Sequence, residues 1–261
     1  MALMPALVTV MVKAAEAASK SLARDFGEVE QLQVSIKGPS DFVSAADKKA
    51  EKTIHSVLEK ARPDWSFMME ESGKVEGKDK SKVFYVDPLD GTNNFLHGVP
   101  HWCTTIAAEE DGEITAAVTF DVVRNEVFWA SKGHGAFLRN KRLRISGRKD
   151  MDMAMVSTPL PAKGRRDPDQ IGRDLQRVSA SVSAVRTMGA SALDLAYIAA
   201  GRLDAFWDRN IKAWDVAAGV LLVREAGGMV TELNGGNNPV NGGSILASNA
   251  SLYQDMRKLL S

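Results

Sequence analysis

Residues 83–95 of the chain read VFYVDPLDGTNNF, and this segment decides both the fold class and the chemistry. Its first four residues are β-branched or aromatic and predict a buried strand, which the Asp87-Pro88 pair ends. Because proline bends the chain there, Asp90 is expected to return to the side on which Asp87 lies. Two carboxylates then share a small volume at the end of a strand.

Two carboxylates held this close repel each other, so one must take up a proton unless a cation lies between them. Oxygen ligands favour Mg²⁺, Mn²⁺ or Ca²⁺ over zinc, and the sequence has no His/Cys cluster. Gly91 and Thr92 follow at a predicted helix start, where backbone N–H groups and the helix dipole favour phosphate. The segment predicts a combined metal and phosphate site; by itself it also fits two turn dipeptides.

Two further acidic segments bear on this choice. Glu70-Glu71-Ser72 follows the strand-like run 65–69, and WDVAAG at 214–219 opens a predicted helix whose small residues allow close packing. Each alone is also typical of ordinary structure, namely a solvated acid pair and a helix N-cap. Their combination with residues 87–92 favours a shared site.

These motifs resemble those of the inositol monophosphatase family. DPLDGT at 87–92 and WDVAAG at 214–219 are similar to the paired signatures of that family, in the same order. Glu70 and the stretch 41–47 fall upstream, where the family has its other acidic residues. The resemblance covers nearly the whole chain.

The resemblance implies a layered α/β fold, a five-layer αβαβα sandwich that is usually a homodimer. It implies Mg²⁺-dependent, lithium-sensitive hydrolysis of a small phosphorylated metabolite by an activated water. The implied metal ligands are Glu70, Asp87, the carbonyl of Leu89, Asp90 and Asp215. Asp47 and the Thr92 hydroxyl would orient the water, and the amides of Gly91 and Thr92 would hold the phosphate.

The chain departs from the family pattern at Asp208 and has Asn93 and Asn94 at positions where family members vary. Seven residues before Asp215, inositol-phosphate enzymes commonly have a Glu that contacts sugar hydroxyls, and here the residue is Asp208. Asp208 is therefore a candidate substrate-binding residue with a shorter reach. Asn93 and Asn94 follow Thr92 where the family tolerates variation.

The substrate stays open at this stage. Inositol 1-phosphate leads by resemblance; histidinol phosphate, fructose 1,6-bisphosphate, a 3′-phosphonucleotide and NADP are alternatives. The other class of function is an interaction protein tied to RNA processing or transcription that retains the phosphatase site. A haloacid-dehalogenase mechanism is excluded because two residues, not one, separate Asp87 from Asp90. A cysteine-phosphatase loop is excluded because Cys103 has no nearby Arg.

Composition limits the partners. Thirty-three Lys and Arg residues balance 33 Asp and Glu residues, which argues against strong direct binding of nucleic acid. The basic stretch 139–149 predicts a solvated turn, with contact to RNA or to the transcription machinery as the alternative. The single cysteine indicates a reducing compartment, so the cytoplasm is expected. Apolar runs stay below the roughly 18–20 residues that span a bilayer, so no membrane association is expected.

Hydrophobic periodicity predicts how the chain is organised. An N-terminal α+β half, 1–150, would carry Glu70, Asp87, Asp90 and an antiparallel meander. A C-terminal α/β half, 151–261, would carry Asp215. The pattern predicts helices over 6–26, 47–61, 169–180, 191–200 and 215–226, and an early strand over 29–36.

Overall fold

The computed structural model describes residues 3–28, 34–38, 41–160 and 167–261. The helices are α1 (Ala6–Phe26), α2 (Ala45–Ala61), α3 (Thr92–Leu96), α4 (Pro168–Ser179), α5 (Ser191–Ala199), α6 (Ala213–Glu225) and α7 (Tyr253–Leu260). The strands are β1 (Val34–Gly38), β2 (Asp41–Ser44), β3 (Trp65–Met69), β4 (Gly73–Val75), β5 (Asp79–Asp90), β6 (Cys103–Glu110), β7 (Glu113–Asp121), β8 (Glu126–Ser131), β9 (Gly135–Leu138), β10 (Lys141–Arg142), β11 (Met155–Ser157), β12 (Ala184–Arg186), β13 (Ala205–Asp208), β14 (Met229–Thr231) and β15 (Ile245–Ser248).

The strands form two main sheets and one hairpin. An eight-stranded sheet has the order β10-β9-β8-β7-β6-β5-β3-β4, in which only β3 and β5 pair in parallel among the described strands. The predicted meander is confirmed as β6 to β8. A five-stranded mixed sheet has the order β12-β11-β13-β15-β14, and β1 pairs with β2 in an antiparallel hairpin.

The packing confirms the five-layer αβαβα sandwich. Side chains alternate along β5, so Phe84 and Val86 pack against α1 and α2 while Tyr85 faces the opposite way, toward α5 and α6. The five-stranded sheet contacts α5 and α6 through residues such as Phe206. Its other face carries Trp207, which packs in one core with α4 and α7.

Most predicted elements are confirmed. Helix α1 has the predicted bounds, and the other four predicted helices occur with ends shifted by one or two residues. Of the strand predicted over 29–36, residues 29–33 lie outside the described residues, and β1 covers the rest. Among the described helices, none combines the length and the apolar content needed to cross a membrane.

The prediction that the strand stops at Asp87-Pro88 is wrong, since β5 continues to Asp90. Its register against β6 shifts, with Asp87 opposite Thr105 and Asp90 opposite Cys103. Two residues of β5 therefore face one of β6, which is a β-bulge, a position where a proline is tolerated. Because the bulge adds one residue to the two-residue period, Asp87 and Asp90 can share one side of the strand.

The two sequence halves share a core. Residues 143–150, around the predicted boundary, contain no helix or strand. Helices α5 and α6 come from the second half yet pack against both sheets. The division at residue 150 stays a prediction about sequence organisation.

Candidate active site

The turn after the bulge is held by the residues of the motif itself. The Leu89 N–H donates to Asp87 Oδ1 at 2.9 Å, and Thr92 Oγ1 donates to the Leu89 carbonyl at 3.0 Å. Gly91 has a φ of +96°, and a Cβ there would lie 3.1 Å from the His101 carbonyl oxygen. A side chain would be strained at this position, so only glycine allows the turn to pack this closely.

Asp90 is held by groups from two other elements. Its Oδ2 accepts a hydrogen bond from the Ala192 N–H at 2.7 Å, at the start of α5. Cys103 Sγ lies 3.9 Å from the same oxygen and can donate to it. Cys103 is buried, as expected for a core residue, and burial raises the pKa of its thiol well above the usual range. The thiol therefore remains a donor to Asp90.

Glu70 follows β3 directly, and its backbone N–H donates to the Val86 carbonyl at 3.1 Å. The turn beyond it is held by Glu51, whose carboxylate accepts hydrogen bonds from the Glu71 N–H at 2.8 Å and from the Ser72 hydroxyl. Sequence reasoning missed Glu51. Its spacing of four from Asp47 was the available signal, because residues four apart lie on one face of a helix.

Asp215 lies in the first turn of α6, as predicted. Its Oδ2 accepts a hydrogen bond from the Lys212 N–H at 3.2 Å, which fixes the start of the helix. The small residues that follow do allow close packing, since a Cβ at Gly219 would lie 2.4 Å from Leu195 Cδ1. Helix α6 is thus seated tightly on α5, and this seating places Asp215 at the site.

The acidic side chains of these elements act on one another. Burial raises the pKa of Glu70 to about 8, and the charges of Asp215 and then Asp47 add to the effect. Burial and the charge of Asp215 likewise raise the pKa of Asp90 to about 8. The pKa of Asp87 lies well above its usual range because it is buried and faces the charges of Glu70, Asp90 and Asp215. The structure therefore brings the predicted carboxylates together.

The burial of Glu70 and Asp87 and the charges of their acidic neighbours favour the protonated form of each carboxyl group. Within the described ranges, no three His, Cys, Asp or Glu side chains stand in a geometry that would by itself hold a metal ion. A bound cation would offset the repulsion between these carboxylates. The atoms available to coordinate a metal are all carboxylate or carbonyl oxygens, and oxygen ligands with this negative charge fit a hard divalent cation.

The remaining two predicted residues, Asp47 and Asp208, are both buried but have different neighbours. Asp47 is 2% exposed in the first turn of α2, close enough for its charge to act on Glu70. Asp208 ends β13 and is also 2% exposed. Its Oδ1 accepts a hydrogen bond from the Asn210 N–H at 3.1 Å, which is the contact of an acid that closes a turn.

Comparisons with known proteins agree with this geometry. A sequence profile of the inositol monophosphatase family matches residues 4–260. The chain belongs to the inositol monophosphatase family. An inositol-1-monophosphatase of Rhizobium meliloti is 48% identical over 255 residues, 98% of this chain and 96% of the relative. The family assignment makes the chain a metal-dependent phosphomonoesterase.

Other family members carry a different name. The Nus factor SuhB of Pseudomonas aeruginosa is 38% identical over 255 residues, covering 96% of this chain and 94% of the relative. The crystal structure of the extragenic suppressor protein SuhB from Bartonella henselae superposes with a TM-score of 0.95 at 46% identity, covering 98% of this chain and 99% of that one. The structure of the inositol monophosphatase from Anabaena (Nostoc) sp. PCC 7120 superposes with a TM-score of 0.86 at 30% identity, covering 97% of this chain and 94% of that one, so both types of relative share this fold.

Proposed function

We propose that this member of the inositol monophosphatase family hydrolyses myo-inositol 1-phosphate to inositol and phosphate with Mg²⁺. The observation that carries the proposal is the group of four acids, Glu70, Asp87, Asp90 and Asp215, whose charges act on one another and which a bound divalent cation would stabilise in the ionised form. The name of the Rhizobium meliloti relative favours inositol 1-phosphate over the other esters.

The proposed roles follow the chemistry of each group. Mg²⁺, when bound, supplies positive charge to the phosphate and makes water more acidic. Its ligands would be the four acids together with the Leu89 carbonyl. The Thr92 hydroxyl and Asp47 would orient the attacking water, and the N–H groups of Gly91 and Thr92 would hold the phosphate.

The raised pKa values predict how stability depends on pH. Metal-free protein should lose stability as pH rises from about 5 to about 8, since Glu70 and Asp90 keep protons that the unfolded chain releases near pH 4. Mg²⁺ should restore stability most at the upper end of this window. The measurement is Tm against pH in EDTA and in saturating Mg²⁺. If Tm depended on pH in the same way in EDTA and in Mg²⁺, the assignment of these acids to a metal site would be contradicted. In EDTA, the Tm of Asp90→Asn should depend less on pH than that of the parent.

The substrate assignment is tested by turnover of a panel with Mg²⁺. The panel holds inositol 1-phosphate, histidinol phosphate, fructose 1,6-bisphosphate, a 3′-phosphonucleotide and NADP. We expect the highest kcat/KM on inositol 1-phosphate and inhibition of that turnover by millimolar lithium. A higher kcat/KM on another ester would move the function to that ester while leaving the phosphatase chemistry intact.

Asp208→Ala separates two roles for that carboxylate. If it accepts hydrogen bonds from a polyol, its loss should cost about tenfold or more in kcat/KM on inositol 1-phosphate, because such charge-assisted bonds are worth about 1.5–3 kcal/mol. On p-nitrophenyl phosphate, which lacks those hydroxyls, kcat/KM should change little. Equal losses on both esters would show that Asp208 only closes the turn to Asn210.

The second candidate function is a transcription-associated role, favoured by the relatives named Nus factor SuhB. The basic stretch 139–149 would be the contact, although part of it is already engaged. Arg148 pairs with the buried Asp204 at 3.1 Å, and Arg139 donates to the Asn125 carbonyl. We therefore place phosphatase activity first. A homodimer, which the family resemblance implies, and a cytoplasmic location, which the single cysteine indicates, remain part of the proposal.

A further inference from the structure

Asn94 joins three segments of the site through one amide group. Its Nδ2 donates to the His101 carbonyl at 2.7 Å and to the Met188 carbonyl at 2.7 Å. Both partners are carbonyl oxygens, so both hydrogens of the amide are used and its orientation is determined by its surroundings. The first partner precedes β6, the second precedes α5, and Asn94 itself lies in α3.

These segments are the ones that hold Asp90 and shape the turn at Gly91. Met188 lies four residues before Ala192, whose N–H donates to Asp90 Oδ2 at 2.7 Å. The packing between the segments is close. A Cβ at Gly91 would lie 3.2 Å from Ala190 Cβ, and a Cβ at Gly189 would lie 2.9 Å from Asn94 Nδ2.

We infer that Asn94 is a positioning residue, which holds the start of α5 against α3 so that Asp90 and the Gly91–Thr92 turn keep a fixed relative position. The inference rests on the roles proposed above for Asp90 and for that turn. Family resemblance alone treated Asn93 and Asn94 as equally variable. The structure separates them, because Asn93 is exposed while the Asn94 side chain donates to a carbonyl 94 residues away in sequence.

Asn94→Ala removes both donors and leaves two carbonyls without their partner. Asn94→Asp keeps the shape, but a carboxylate cannot donate to either carbonyl. Both variants should weaken Mg²⁺ binding about tenfold or more, the loss typical when a group that supports a metal ligand is removed. Inhibition by inorganic phosphate should weaken in parallel. If Asn94→Ala does not fold, Asn94→Ser, which retains one donor, should show an intermediate loss.

The test is calorimetric titration of Mg²⁺ into the EDTA-treated full chain, with phosphate inhibition and Tm measured alongside. Asn93→Ala, the exposed neighbour, should match the parent in all three. Met256→Ala, in the core between α7 and the five-stranded sheet, should lower Tm without changing Mg²⁺ affinity. This variant separates positioning from general destabilisation.

Parent-like Mg²⁺ affinity and phosphate inhibition in both Asn94→Ala and Asn94→Asp would overturn the inference. So would an equal loss of Mg²⁺ affinity in Met256→Ala at the same drop in Tm. Asp90→Asn shows whether the inference about Asn94 or the proposed role of Asp90 is at fault. If Asp90→Asn is inactive while the Asn94 variants behave like the parent, only the inference fails; if Asp90→Asn stays active, the proposed role of Asp90 fails first.

Discussion

Asp90→Asn should lower kcat/KM by at least about a hundredfold at saturating Mg²⁺, because it removes a ligand charge while keeping the side-chain volume. Replacing a residue that only hydrogen-bonds to a metal ligand typically lowers metal affinity or activity up to about a hundredfold. Replacing a direct ligand should lower activity by more. The variant should still fold, since the Asn oxygen can accept the Ala192 N–H and the repulsion from Asp215 is gone. Steady-state kinetics on inositol 1-phosphate measure the loss.

The control for Asp90→Asn is Asp111→Asn, at an exposed turn between β6 and β7. Asp111 has a φ of +54°, a conformation that Asn also adopts readily, so this variant should match the parent in kcat/KM and Tm. Parent-like kcat/KM for Asp90→Asn would remove Asp90 from the metal site. A loss of activity accompanied by a collapse of Tm would instead indicate a structural role.

Thr92→Val should lower kcat about a hundredfold with little change in KM. The hydroxyl donates to the Leu89 carbonyl at 3.0 Å in the structure, and in the proposed role it also orients the attacking water. Proton-transfer and positioning groups of this kind contribute about 10²–10⁴ to rate. Valine keeps the β-branched shape, so the start of α3 should persist.

Thr92→Ser is the matched variant, because it restores the hydroxyl while removing only a methyl group, and it should recover most of the lost kcat. An interaction made chiefly in the transition state lowers kcat, whereas one that binds substrate alone raises KM. A rise in KM with unchanged kcat would therefore place Thr92 in phosphate binding. Equal kcat in Thr92→Val and the parent would remove its proposed catalytic role.

The site could be predicted only in part, as three acidic residues illustrate. Asp87 and Asp90 were found because the β-branched and aromatic run before them is a local strand pattern, and local backbone preferences are readable in one stretch of chain. Glu51 was missed, since an acidic residue on a Lys-rich helix is typical of a solvated face. Its role appears only when α2 packs beside the turn at Glu71.

The sequence by itself determined the elements: the bounds of α1, the meander, the helix start at Gly91 and Thr92, and the acidic residues at element ends. These depend on side-chain periodicity and on backbone freedom, which act over a few residues. Tertiary structure alone decided the bulge that aligns Asp87 with Asp90, the Ala192 N–H on Asp90 and the bridge made by Asn94. Those contacts join segments up to 102 residues apart. They form only when the buried faces of both sheets close around α5 and α6, because burial then requires each backbone polar group to find a partner.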